Sequence, residues 1–155
     1  MKTRRAVLAA LCLSATVGIW AKSSEAGGEV IAVIVNKANP ASSLGASELR
    51  PIFQTTRTSW ASGGDATPFN LPDDNGLRQD FDQAVLGLDP DHAARYWKDR
   101  KIRGGARAPR QLPSTGAVLK AVAANAGAVG YVKASEVNAT VKVVAKIVGG
   151  KLTGP

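Results

Sequence analysis

Between Phe69 and Leu88 the chain changes periodicity without a linker, and this limits the folds open to it more than any other stretch. A short apolar segment, Thr67–Leu71, ends at Pro72, and Asp73, Asp74, Asn75 and Gly76 follow. Apolar residues then recur at Leu77, Phe81, Ala84, Val85 and Leu88, a spacing that lays one apolar stripe along a helix. Strand, tight turn and helix start therefore come in immediate succession. A helix start carries unpaired backbone N–H groups and the positive end of the helix dipole, which suits a small anion. The same turn can also be a purely structural cap built on Asp73, Asp74 or Asn75.

The first residues belong to targeting and not to the fold. Lys2, Arg4 and Arg5 precede the apolar run Ala6–Trp20, and Ser24-Glu25-Ala26 puts small residues at the two positions a signal peptidase reads. The run is short for a membrane span. It predicts a cleaved signal peptide over residues 1–26 and export to the periplasm, with an uncleaved N-terminal anchor as the alternative. Of the 155 residues, 129 remain, enough for one domain with its own core. Cys12, the only cysteine, leaves with the signal, so neither disulfides nor thiol chemistry are expected. The remaining 16 basic and 11 acidic residues give +5, against +8 for the whole chain. That balance still favours anionic partners.

Along residues 27–155 the elements alternate. Val30–Val35 is an unbroken, β-branched run that reads as a strand buried on both faces, as in a parallel sheet. Gly45–Phe53 reads as a short helix with Glu48 in capping-box position, and Pro51 is awkward inside it. Trp60 is expected to lie over the core. Asp89-Pro90 starts another helix, with an N-cap and then proline at the first helical position. Ser114-Thr115-Gly116 opens a further one. Ala126–Val132 and Val141–Val148 read as strands, the latter with Lys142 and Lys146 on a wet face, and Lys151–Pro155 as a tail or a brief returning strand. The order β, α, β, α, α, α, β, β predicts an α/β fold, a single three-layer domain with a mixed sheet. Ligands of such sheets sit at the carboxyl ends of strands, where helices begin. The Asp73–Arg78 turn occupies that position.

The chemistry available is narrow. His92 is the only histidine and lies in the first turn of a helix, where solvation is the simpler reading. Asp73 and Asp74 are sequence neighbours that point apart, and no second cluster completes a metal site. No histidine lies near any serine to act as its base. The glycines match neither a P-loop nor a dinucleotide fingerprint. No enzyme activity, metal or cofactor is therefore expected. Oxyanion recognition remains, through the helix starts at Asp74–Leu77 and Ser114–Ala117, through Arg78, and through the loop Arg103-Gly104-Gly105-Ala106-Arg107. The segment Arg95–Arg110 holds seven basic residues against Asp99 alone. It lacks interleaved aromatics after Trp97, so nucleic acid is not expected.

Taken together, several stretches resemble a known family. They are Val33-Ile34-Val35-Asn36, Ser43-Leu44, Glu48-Leu49 with Ile52-Phe53, Trp60, Leu71-Pro72-Asp73-Asp74 with Leu77-Arg78 and Phe81, Tyr96-Trp97, Arg103-Gly104-Gly105, and Gly127–Val132. In order and spacing they are similar to small periplasmic proteins related to the phosphate-binding component of phosphate ABC transporters. The resemblance implies one lobe of a type 2 periplasmic-binding-protein fold. The larger relatives grip phosphate with an arginine followed by an Asp-Gly-Ser-Gly-Thr turn at a helix start. Carried over position by position, Asp73 matches the aspartate, Asn75 the serine and Gly76 the second glycine. Asp74 replaces the first glycine, Leu77 the threonine, and Leu71 falls where the arginine would be.

The expected function is therefore that of a periplasmic solute-binding-type protein of an ABC phosphate-uptake system or a relative of one. Its ligand would be phosphate or another small oxyanion at Asp73, Asp74, Asn75, Gly76, Arg78 and Arg103, and its larger partner a membrane transporter. The alternative is a non-catalytic interaction module whose basic loop docks an acidic protein or a polyanion.

Overall fold

The computed structural model describes residues 28–155; the expected signal peptide lies outside the described residues. Six strands form one sheet in the order β3-β2-β4-β1-β5-β6. The strands are β1 (Ile31–Asn36), β2 (Thr67–Asn70), β3 (Arg110–Gln111), β4 (Ala128–Lys133), β5 (Val141–Val148) and β6 (Lys151–Thr153). The helices are α1 (Ala46–Phe53), α2 (Gly76–Phe81), α3 (Pro90–Ile102) and α4 (Thr115–Ala124).

β1 is central, and Ile31–Val35 are all buried, as an unbroken apolar run requires. Its pairing differs from the parallel-sheet expectation: it runs antiparallel to both β4 and β5. Burial on both faces needs helices on both sides and does not need parallel neighbours. The parallel part lies at the other end, where β2 pairs with β4 and β3. The sheet is thus mixed.

Neighbouring residues of β4 show the two covered faces, because successive side chains point to opposite sides. Gly130 faces α4, where an added Cβ would come within 2.5 Å of Val118 Cγ1. Tyr131 faces the other side and stacks on Phe81, with ring centroids 4.0 Å apart and planes 8° from parallel. Phe53 of α1 closes that cluster at 4.6 Å from Phe81. Trp60 is buried over the core rim, and its Nε1 donates to the Gly127 carbonyl at 3.1 Å.

Local signals mark the helix starts. Glu48 accepts from the Gly45 N–H at 2.9 Å. Asp89 accepts from the His92 N–H and Ser114 from the Ala117 N–H. Pro51 falls in the last turn of α1, and the helix stops two residues later. The stripe Leu77–Leu88 is not one α-helix: α2 gives way to a π-helical turn over Asp82–Leu86, closed by Gly87 at φ 69°. That turn carries Val85 and Leu86 into the core.

Candidate functional site

β2 delivers the chain to the site. Phe69, Asn70 and Leu71 are buried at its carboxyl end. The Tyr131 hydroxyl of β4 fastens that end: it donates to Asn70 Oδ1 at 3.0 Å and accepts from the Leu71 N–H at 3.3 Å. Burial pushes the Tyr131 hydroxyl pKa well up, so it stays a protonated donor.

The turn that follows is closed by its own polar groups. The Asn75 N–H donates to the Pro72 carbonyl at 3.0 Å. Asn75 is the N-cap of α2, its side-chain oxygen accepting from the Leu77 N–H at 2.9 Å. Gln79 Nε2 reaches back to the Asp73 carbonyl at 3.2 Å. The backbone N–H groups of Gly76 and Arg78 have no acceptor among the described residues.

Arg78 is not a surface cation. It is 2% exposed. Its Nε donates to Asp82 Oδ2 at 2.7 Å and its Nη1 to the Leu71 carbonyl at 3.0 Å, and Nη1 also forms an ion pair with Asp73 Oδ1 at 3.1 Å. Gln111 Nε2 of β3 holds the same Asp73 oxygen at 3.0 Å. Arg78 therefore ties the end of β2, the turn and the π-helical segment into one body. Asp82 is 4% exposed, and its Oδ1 is buried with no hydrogen-bond partner. Desolvation raises its pKa, and the Arg78 guanidinium only partly opposes that.

Beside this network lies a cleft of about 210 Å³. Asp73, Arg78, Gln79 and Asp82 form one wall, and Pro90, Ala93, Ala94 and Trp97 of α3 the other. The Trp97 indole Nε1 is likewise buried without a partner. On its far side Trp97 borders a second, more open concavity of about 630 Å³, formed with Lys101 and Gly104–Ala108.

Of the six residues predicted for the site, the structure brings Asp73, Asp74, Asn75, Gly76 and Arg78 into one turn. Asp74 and Gly76 are exposed there. Asn75 spends its side chain on the cap, and Arg78 spends Nε and Nη1 on the protein itself. Arg103 stands apart: it is the exposed C-cap of α3 and lines neither hollow. In the basic segment Arg100 is also committed, donating to the Gln54 carbonyl at 2.7 Å and to the Tyr96 hydroxyl at 2.8 Å. Sequence reasoning missed Asp82, Gln79, Gln111 and Trp97. The four-residue spacing of Arg78 and Asp82 on a helix was a usable signal; nothing local marked the other three. Among the described residues no group of three or more His, Cys, Asp or Glu side chains could hold a metal ion.

A family model described as a PBP superfamily domain matches residues 17–154. No curated protein matches the chain. Among solved structures, an ABC-type phosphate transport receptor from Vibrio cholerae superposes with a TM-score of 0.60 at 20% identity, over 75% of this chain and 45% of the receptor. A putative phosphate ABC transporter substrate-binding protein with bound phosphate, from Clostridium perfringens, gives 0.60 at 23% identity over the same shares. A possible phosphate binding protein from Planctomyces limnophilus gives 0.56 at 17%, over 76% of this chain and 42% of that one. The chain spans less than half the length of these proteins, and identities this low speak for the fold alone.

Proposed function

The chain belongs to the PBP superfamily, and from that premise we propose that it is a solute-binding-type domain that takes phosphate or another small oxyanion at the Asp73–Arg78 turn. The observation that carries this reading is the pair of unpaired N–H groups, Gly76 and Arg78, at the start of α2 and beyond the carboxyl end of β2. Neutral donors fixed in place suit an oxyanion. Arg78 serves here by its backbone N–H and by holding the turn's shape, with Asp73 as its anchor. Asn75 sets the direction of the donors through its cap. Asp74 edges the turn, and Arg103 contributes only at longer range. Residues 1–26 would export the chain as a signal peptide, leaving a single domain over 27–155 in the periplasm. Its larger partner would be the membrane component of an ABC uptake system, and no catalysis is involved.

Calorimetry with phosphate, sulfate and small carboxylates tests this. Saturable phosphate binding that weakens in Asn75→Ala is the expected result. No heat of binding from any of the three at millimolar concentration would sink the proposal.

A second reading rests on a separate observation. Arg95, Lys98, Lys101, Arg103, Arg107 and Arg110 are exposed and form no ion pair with the described residues. Such a surface suits docking of an acidic protein or a polyanion, with the turn playing no part.

A further inference from the structure

We propose that the outer face of α3 and the loop after it form a docking surface for an anionic phospholipid bilayer. The proposal rests on the same basic segment as the second reading and differs in the occupant it names. It is independent of any oxyanion at the Asp73–Arg78 turn.

α3 runs for thirteen residues and buries only Ala93. It is held to the body through Tyr96 and Arg100, both of which donate to the Gln54 carbonyl at the end of α1. Its other side is left to solvent. Arg95, Lys98 and Ile102 follow one another at spacings of three and four residues, which sets them in one row along a helix. All three are exposed.

The surface around this row is almost uniformly positive. Arg95, Lys98, Lys101, Arg103, Arg107 and Arg110 are exposed and form no ion pair with the described residues. Asp99 is the one acid between residues 95 and 110. Gly104, Gly105, Ala106 and Ala108 are small and exposed, so a broad surface can come close to the loop's cations. The concavity of about 630 Å³ between that loop and Trp97 has Lys101 and Arg107 in its lining and no carboxylate. A phosphate head group has the charge to enter it.

Ile102 decides between kinds of anionic partner. It is 73% exposed, the most exposed large apolar side chain among the described residues, and it stands among the cations. A sulfated or phosphorylated chain offers charge alone, and Ile102 gains nothing against it. An acidic protein would have to supply a matching apolar pocket. A bilayer interface takes both kinds of group at every point: cations at the level of the phosphates, an apolar side chain at the acyl boundary beneath. Among the described residues no helix is long and apolar enough to cross a membrane, so the contact is peripheral.

Vesicle sedimentation tests this. Residues 27–155 hold the whole described core and omit the apolar run 6–20, which could insert by itself. This segment should sediment with vesicles of equal parts phosphatidylglycerol and phosphatidylcholine, and not with phosphatidylcholine alone. Arg95→Gln combined with Lys98→Gln should weaken binding about thirtyfold, at roughly fivefold per charge. Ile102→Ser should weaken it about tenfold, with the melting temperature unchanged and the elution salt from immobilised heparin unmoved. Absence of binding to the anionic vesicles, equal binding to neutral ones, or undiminished binding in Ile102→Ser would each overturn the proposal. Retention on heparin without vesicle binding would overturn it and leave the second reading standing, with a polyanion as the occupant. Absence of both would remove the two together.

Discussion

Arg78 and Asp82 are both buried, yet they stand in unequal positions. Arg78 has two acceptors and an ion pair with Asp73, whereas Asp82 has one donor and an unpaired second oxygen. Arg78→Met removes the cation and strands a buried carboxylate, a change that costs about 3–5 kcal/mol; urea denaturation at neutral pH should show it. The pH dependence follows from the direction of the Asp82 shift. Its folded pKa lies above 3.8 because desolvation outweighs Arg78. The folded state then holds the proton more tightly than the unfolded chain, and stability falls as pH rises from 3.8 through the folded value. Without Arg78 that window extends to higher pH, so Arg78→Met should recover stability on acidification. Asp89 behaves in the opposite sense. The His92 backbone N–H and then its side chain hold the Asp89 carboxyl down. Its stabilisation is complete above 3.8 and is lost as pH falls through the lower folded value. In Asp89→Ala that acid-side loss should disappear from a plot of urea midpoint against pH. Tyr131→Phe deletes the hydroxyl that serves both Asn70 and the Leu71 N–H. Two buried groups lose their partner, for a cost of about 1–3 kcal/mol in the same assay. Of these residues, the Asn75 and Asp89 caps were legible in the sequence, because a cap answers to neighbours two or three positions away. The Arg78 carbonyl contact and the Tyr131 bridge were not, because their partners come from the turn geometry and from another strand.

At the scale of elements, small residues decide how closely α4 lies on the sheet. A Cβ on Gly130 would meet Val118 Cγ1 at 2.5 Å and Val122 Cγ2 at 3.3 Å. Gly130→Ala should therefore push α4 off β4 and cost about 1–3 kcal/mol by overpacking, read as a lower denaturation midpoint with an unchanged slope. Element types followed from periodicity, with two instructive exceptions. A π-helical turn replaces the second half of the stripe Leu77–Leu88, since a 3.6-residue pattern cannot register one extra residue in a turn. Leu88 N–H to Asp82 O and Arg50 Nε to Val85 O hold that segment, and the latter partner is contributed by α1. β3 was invisible because Arg110 and Gln111 are both exposed. It is a strand only through its backbone pairing with Phe69 and Asn70.

For the whole molecule, charge and ligand chemistry separate spatially. The exposed cations of residues 95–110 lie along α3 and the loop after it, while Asp73 and Asp82 line the cleft on the other side of Trp97. A surface of unpaired cations binds polyanions in a salt-dependent way. On immobilised heparin the triple variant Arg103→Ala, Arg107→Ala, Arg110→Ala should elute at clearly lower salt than the parent, and Asn75→Ala at the same salt. The reverse pattern would leave the basic segment without a docking role. By itself the sequence determined which residues make the core, where most helices start and that helices alternate with strands around a mixed sheet. These depend on local periodicity and on caps that act within one turn. Only the tertiary structure decided that β1 pairs antiparallel on both sides, that Arg78 is an internal strut, that Arg103 stands away from the turn, and that Asp82 keeps one buried oxygen without a partner. Each of these depends on which distant segments meet, and burial then determines whether a charge is a surface group or part of the frame.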